Sequence, residues 1–328
     1  MKKIYFLLIL FIIPIKINAL SAKSYVLMEE DTKRVLASKN MNEKRLIAST
    51  TKIMTAVIAL ESGKENNYVT VNDKILDAYG SSIYISVGEK IRLEDLVYGL
   101  LLRSGNDAAL AIADYLGGFD SFVDKMNNKA KEIGMKNTIF NNPSGLDEDN
   151  MNYSTCYDMA LLMRYANSIP LFKKISLTKK YKLQTNKNSY VWKNKNKLIH
   201  TYKYATGGKT GYTDKAKRTL VSSASKNNLN LIVVTLNDPN DFKDHKTLYE
   251  YAFNNYSMVK VFDKRFFNLK KSYVLDDYFY PLTKNEYKLI SYEYEMKNKK
   301  KFRKNELKGS ILIYFNNKII HREKIFSK

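Results

Sequence analysis

The stretch Ala48-Ser49-Thr50-Thr51-Lys52-Ile53-Met54-Thr55-Ala56 opens an apolar run that reads as a helix to about Leu60. Ser49 and Lys52 are three apart, so on a helix they share one face and the amine can reach the hydroxyl. A serine hydroxyl is a poor nucleophile until a neighbouring base takes its proton, and a lysine held neutral can be that base. The helix that follows adds a partial positive charge at its N-terminus, which favours an oxyanion forming beside the serine. Ser-x-x-Lys also begins at Ser176, Ser223 and Ser257, as expected of a Lys-rich chain, so the spacing alone is a weak signal.

Working outward, residues 24–28 and 34–38 are strand-like runs, with Glu30-Asp31-Thr32-Lys33 suited to the turn between them. Residues 68–91 read as short strands and turns. A helix over 93–102 follows, with Leu93, Leu96, Val97, Leu100 and Leu101 on one face. It breaks at Arg103-Ser104-Gly105-Asn106, and a second helix covers 107–116, which puts Ser104-Gly105-Asn106 on a tight bend between two buried helices. Further helices are predicted over 119–134 and over 154–167, the latter capped by Ser154. Residues 171–200 are polar and rich in Lys and Asn. Three strands, 209–213, 218–225 and 230–236, and a helix over 241–255 complete this part. Strands at both ends with helices between predict an α+β fold, an antiparallel sheet completed by the N-terminal hairpin and set beside a helical cluster. From 258 onward short alternating runs predict a small β-rich domain. It carries 18 Lys/Arg against 8 Asp/Glu, a net +10.

The whole chain of 328 residues has a formal charge of +22 and 45% hydrophobic residues, which describes a globular protein suited to an anionic partner or surface. Lys2 and Lys3 precede the apolar run 4–13, then Pro14 and a short polar step to Ala19. This reads as an export signal over 1–19, cleaved near Ala19 or Ala22, and too short for a comfortable membrane span. An exported protein does not meet nucleic acid, so the basic charge is expected to face anionic wall polymer or a membrane surface. Cys156 is the single cysteine, so no internal disulfide can form, and it is expected to be a packing residue.

Three short motifs occur in order: Ser49-Thr50-Thr51-Lys52, Ser104-Gly105-Asn106 and Lys209-Thr210-Gly211. Each falls where the chemistry needs it, at a helix start, an interhelical bend and a strand. Ser-x-x-Lys, Ser-Asp-Asn and Lys-Thr-Gly together form the set of penicillin-binding proteins and class A β-lactamases, with Gly105 here in place of the Asp. The chain resembles the serine-type D-alanyl-D-alanine carboxypeptidases of the peptidase S11 family, the low-molecular-mass penicillin-binding proteins. The likeness covers roughly residues 24–256, including Asp107-Ala108-Ala109, Tyr153-Ser154-Thr155 and 209–214. The last 71 residues match the family's β-rich second domain in character only.

The resemblance implies a catalytic domain over 20–257 and a C-terminal domain over 258–328, with no cofactor and no metal. It implies that Ser49 attacks the carbonyl between the two terminal D-alanines of a peptidoglycan stem peptide and forms an acyl-enzyme, with β-lactams as covalent inhibitors. Lys52 would take the serine proton, Ser104 would relay a proton to the leaving D-alanine, and Asn106 would hold Lys52 and the substrate amide. Lys209 and Thr210 would bind the terminal carboxylate. Gly211 would let the peptide pair closely with its strand, and the N–H groups of Ser49 and Tyr212 would form the oxyanion hole.

Other chemistries fit less well. His200, His245 and His321 sit in polar sequence surroundings with no triad pattern, and there is no zinc spacing or nucleotide loop. Asp147-Glu148-Asp149 could supply the deacylating base of a β-lactamase, but reads as a solvated loop. A β-lactamase on this scaffold and a non-catalytic wall-binding or penicillin-sensing protein are the two alternatives. Ala216-Lys217-Arg218 sets two cations just after the third motif, where they are expected to narrow the cleft or favour an anionic substrate.

Overall fold

In a computed structural model, residues 20–147, 150–299 and 301–328 are described; the predicted export segment 1–19 lies outside them. The N-terminal hairpin pairs β1 (Ser24–Glu29) with β2 (Val35–Lys39). Three later strands join it: β3 (Ala205–Thr213), β4 (Lys217–Lys226) and β5 (Leu229–Leu236). The order is β2-β1-β5-β4-β3 and every pairing is antiparallel, so the strand predicted around Lys209 lies at one edge.

Side chains alternate across such a sheet, and β5 shows the consequence. Ile232, Val234 and Leu236 face a helical cluster, whereas Leu231 and Val233 face helix Asp241–Asn255 through Leu248, Tyr249 and Ala252. The cluster comprises α1 (Lys52–Glu61), α2 (Leu93–Arg103), α3 (Asn106–Tyr115), α4 (Phe119–Glu132), α5 (Cys156–Asn167) and α6 (Pro170–Leu177). Of α1, residues Lys52 to Ala59 are all buried. A helix closed on every side in this way is a core helix, and the one charged side chain at its start is forced out of water.

Two local readings are corrected and a third is filled in. Ser49 sits in a 3-10 turn, Ala48–Thr51, that feeds α1, so the α-helix itself begins at Lys52. The cap of α5 is Thr155, whose hydroxyl accepts from the Asp158 N–H at 3.1 Å, while Ser154 pairs in a short strand opposite Arg45. Residues 171–200 are structured: after α6 they form a hairpin of strands Lys180–Gln184 and Ser189–Lys193. Its alternation sends Tyr181 and Trp192 inward, where Tyr181 stacks on Tyr98 with ring centroids 3.7 Å apart. The lysines go outward.

From Ser257 the chain forms antiparallel strands around a separate apolar cluster that includes Val261, Tyr280, Leu282, Ile311, Ile313 and Ile325. Arg34, beside β2, ties this region to the sheet. Its guanidinium pairs with Glu286 at 2.6 Å and lies 4.4 Å from the Phe315 ring centre.

Candidate active site

Lys52 is fully buried, and its amine has three neighbours: Ser49 Oγ at 3.1 Å, Asn106 Oδ1 at 2.7 Å and the Ser144 carbonyl at 2.5 Å. Burial is the main force holding the amine well below its ordinary pKa, and the charges of Lys209 and Lys195 add to it. A neutral amine has two N–H donors and one lone pair. Asn106 Oδ1 and the Ser144 carbonyl accept only, so they take the two donors and the lone pair faces the Ser49 hydroxyl.

Opposite stands Lys209, also buried, which donates to Ser104 Oγ at 3.0 Å and to the Thr210 carbonyl at 2.6 Å. Burial, with help from Lys195, brings its pKa down to about 7. Ser104 takes a left-handed backbone, φ 66°, at the end of α2, and Asn106 starts α3 two residues later. That break lets both side chains leave the helical pair on the same side, toward the two lysines.

Glycine is required at two points. A Cβ on Gly211 would lie 3.0 Å from the Ser49 N and 3.1 Å from the Thr50 N, and would strike Thr219 Oγ1. A Cβ on Gly105 would lie 2.8 Å from the Asp107 carboxylate, which accepts from the N–H groups of Ile83 and Tyr84 at 3.0 and 2.7 Å. Glycine therefore stands in the middle motif where a larger residue would collide with the carboxylate that pins loop 83–85. Thr210 is partly exposed and Tyr212 is exposed, its hydroxyl donating to Asp214 at 2.8 Å. The eight residues singled out in sequence thus occupy one region, linked through Ser49, Lys52, Asn106, Ser104, Lys209 and the strand that carries Lys209.

Several contributors carried no sequence signal. Asn142 Oδ1 accepts from the N–H groups of Ser144 and Gly145 at 3.1 and 2.6 Å and so aims the Ser144 carbonyl at Lys52. Asn152 braces that loop, accepting from the Asn141 N–H at 2.7 Å and donating to Thr51 Oγ1 at 3.0 Å. The Tyr79 carbonyl accepts from Asn106 Nδ2 at 2.5 Å, which fixes the amide so that its oxygen meets the lysine. Asn-Asn-Pro-Ser-Gly marks a turn, but nothing in residue types reveals a carbonyl's target.

Other expectations are revised. Asp147 is buried, not solvated: its carboxylate accepts from the Thr213 hydroxyl, and its carbonyl accepts from Lys215 Nζ at 2.9 Å. Glu148 and Asp149 lie outside the described residues. Arg218 does not enter the cleft. Its guanidinium pairs with Asp241 at 2.7 Å and lies over the Phe242 ring, on the far face of the sheet. His245 is fully buried rather than in a polar setting. Its Nδ1 lies 2.7 Å from Ser222 Oγ and burial pulls its pKa down to about 3. That pair is sealed between sheet and helix and has no path to a substrate. Cys156 is buried and its thiol pKa is raised by burial, as a packing residue requires.

The architecture matches solved structures of penicillin-binding proteins. Penicillin binding protein 5 from Haemophilus influenzae superposes over 94% of this chain and 97% of that one, with a TM-score of 0.79 and 27% identity. A D-alanyl-D-alanine carboxypeptidase from Mycobacterium tuberculosis covers 73% of this chain and 94% of that one, with a TM-score of 0.71 and 30% identity. The fold is therefore that of the penicillin-binding proteins, a catalytic-type sheet and helical cluster followed by β-rich structure. Residues 14–240 match the family model of the S11 peptidases, D-alanyl-D-alanine carboxypeptidase, and the chain belongs to this family. D-alanyl-D-alanine carboxypeptidase DacF of Bacillus subtilis is 39% identical over 245 residues, 72% of this chain and 63% of that relative. The aligned part is thus just under two thirds of that relative's length.

Proposed function

We propose that the protein is a serine-type D-alanyl-D-alanine carboxypeptidase that removes the terminal D-alanine from peptidoglycan stem peptides. The observation that carries this reading is a fully buried amine, Lys52 Nζ, 3.1 Å from the Ser49 hydroxyl, with burial holding its pKa well below the ordinary value. In the reaction, the Ser49 proton passes to Lys52 as Oγ attacks the penultimate D-alanine carbonyl. The N–H groups of Ser49 and Tyr212 hold the oxyanion, where one such donor is typically worth on the order of 100-fold in turnover. Ser104 gives its proton to the leaving nitrogen and is resupplied through Lys209, to which it is hydrogen-bonded at 3.0 Å. The terminal carboxylate rests on Lys209 and Thr210. Lys52 passes the serine proton on to recharge Lys209, and the proton of the water that then cleaves the ester reaches Ser49 Oγ through the neutral Lys52, restoring the serine.

A β-lactam presents a strained amide to the same serine and leaves a slowly hydrolysed ester. A β-lactamase reading needs a carboxylate free to activate water, and the engagement of Asp147 with Thr213 argues against that residue. The reading divides the chain into a catalytic unit over 20–257 and a β-rich unit over 258–328. It sets the protein outside the cytoplasmic membrane, exported by residues 1–19. Among the described residues no helix is long and apolar enough to cross a membrane. Contact with anionic wall polymer is assigned to the outer face of the hairpin, where Lys180, Lys182 and Lys193 are exposed and Lys180 stands directly opposite Lys193.

The test is to incubate the protein and its Ser49→Ala variant with a fluorescent penicillin and with a peptide ending in D-alanyl-D-alanine. Wild type is expected to release D-alanine and to carry the label on Ser49 by mass spectrometry. Turnover of the penicillin without D-alanine release would sink the carboxypeptidase reading. Equal behaviour of the two proteins would sink both enzymatic ones.

A further inference from the structure

The sequence leaves two places where the export segment could end, Ala19 and Ala22. Residues 20–23 are built into the fold, and that separates the two. Leu20 packs against the apolar cluster beside helix Asp241–Asn255, and Ala22 is fully buried, its carbonyl accepting from Lys39 Nζ at 3.0 Å. The Lys23 N–H donates to the Asn237 carbonyl at 3.1 Å. Ser21 lies against two carboxylates, Asp238 just past β5 and Asp244 in the first turn of that helix. Its N–H donates to Asp244 Oδ2 at 2.6 Å, and its hydroxyl stands 2.6 Å from Asp238 Oδ1 and 2.9 Å from Asp244 Oδ2. A hydroxyl has one proton, so it satisfies one of these oxygens at a time.

Asp238 is fully buried and Asp244 nearly so. Asp238 Oδ1 also accepts from the Asn240 N–H at 3.1 Å, but Oδ2 has no hydrogen-bond partner. No Lys, Arg or His among the described residues forms an ion pair with either carboxylate. Burial, with the Asp244 charge beside it, pushes the Asp238 carboxyl up to about 6. Two buried carboxylates side by side, one with an orphan oxygen, call for a cation. The next backbone nitrogen along the chain belongs to Leu20. Consecutive backbone nitrogens are under about 4 Å apart, so it lies within roughly 7 Å of Asp244 Oδ2. In an uncut chain that nitrogen is a neutral amide.

We propose that the export segment is removed between Ala19 and Leu20, and that Asp238 and Asp244 form the seat of the α-ammonium this creates. The inference rests on the export reading and is independent of the carboxypeptidase one. A leader-removing peptidase hydrolyses the bond with one water. The hydroxyl goes to the Ala19 carbonyl carbon, the hydrogen to the Leu20 nitrogen, and a proton from solvent completes the ammonium. The new terminus gives the pair the counter-charge that no side chain supplies. Cleavage after Ala22 would carry Ser21 away and leave both carboxylates without its N–H and hydroxyl.

The test is to produce the full chain in a bacterial host, sequence the N-terminus of the exported protein, and titrate its α-amine by pH-dependent acylation read by mass spectrometry. The sequence is expected to start at Leu20, with the amine titrating about one unit above the ordinary α-amino range of roughly 7.7–8.0. Asp238→Asn and Asp244→Asn keep an oxygen for Ser21 and lose the charge, so each should bring the amine back by about half a unit. The wild-type titration decides even where a variant does not fold. Any other N-terminus would overturn the proposal, and an uncut chain would overturn cleavage of the export segment with it. A start at Leu20 with an amine in the ordinary range, or one unmoved by both substitutions, would overturn the seat and leave the export reading standing.

Discussion

Two groups of lysines in this molecule share a side chain and little else. Lys52 and Lys209 are buried at the junction of α1, the α2–α3 bend and β3, and both amines are driven toward the neutral form. Lys180, Lys182 and Lys193 stand on the outer face of the hairpin in water, with no carboxylate of the described residues within ion-pair distance. In the first group desolvation penalises the ammonium and a second cation nearby adds to the penalty, so one amine becomes a base. In the second group solvent and salt screen each charge, and lysines face one another across strands with only a small penalty. On the proposed mechanism it is burial, not residue type, that fits a lysine to act as the base.

The largest effect is expected from removing the buried base. Lys52→Met should lower acylation by a β-lactam and D-alanine release on the order of 10⁴-fold or more, measured by stopped-flow labelling. Retention of activity within tenfold would show that some other group takes the serine proton. Lys209→Met separates function from stability. It should lose carboxylate binding, with kcat/KM down about 100-fold or more, yet melt at higher temperature, with stability up by about 1–3 kcal/mol. The sign follows from linkage. Burial holds the folded-state pKa at about 7 against 10.5, so the unfolded chain binds the extra proton between these values. Stability associated with a neutral Lys209 is complete above pH 10.5 and is lost as pH falls toward about 7. The Met variant should therefore gain most over wild type near neutrality and little at pH 10.5, checked by thermal unfolding across that range.

Gly211→Ala comes next. Its methyl would press on the Ser49 and Thr50 amides and on Thr219, displacing the oxyanion donor relative to the strand. A loss of about 10- to 100-fold in kcat/KM is expected, with little change in the pH profile. A smaller effect attends Lys195, an exposed residue whose amine donates to Ser81 Oγ at 3.0 Å and whose charge depresses both buried lysines. The profile of kcat/KM should be a bell, rising as Lys52 deprotonates and falling as Lys209 loses its proton at about 7. Lys195→Gln removes a repelling cation, so both limbs should move to higher pH. Activity on the acid side should fall by about two- to fivefold. An unmoved profile would separate Lys195 from the pair.

The same contrast explains what could be read from residues alone. Ser49, Lys52, Ser104, Asn106 and Lys209 to Tyr212 were legible because each motif sits at a break in apolar periodicity, and breaks between buried elements converge. The five-stranded sheet was legible because β4 and β5 are short runs rich in apolar and β-branched residues bounded by polar turns, the pattern of strands buried on both faces. The hairpin 180–193 was not, because its outward lysines dominate the composition while only Tyr181, Leu183, Tyr190 and Trp192 turn inward. The Ser144 and Tyr79 carbonyls were invisible because every residue has one. The direction of Arg218 depended on Asp241, 23 residues on, and the burial of Asp147 on Thr213, 66 residues on; neither distance is local enough for pattern reading.

The least effect on catalysis, and the sharpest test of the surface group, is expected when Lys180, Lys182 and Lys193 are all changed to Gln. None of the three is hydrogen-bonded to Lys52 or Lys209, so D-alanine release from a short neutral peptide should stay within about twofold. Removing the like-charge pair Lys180–Lys193 should leave stability unchanged or raise it by a few tenths of a kcal/mol. What should change is cosedimentation with an anionic phosphodiester wall polymer, which should weaken and lose part of its salt dependence, since fewer counterions are released on binding. If polymer binding is untouched while peptide turnover collapses, the two groups of lysines are not independent. Solvent screening would then be the wrong account of the outer one.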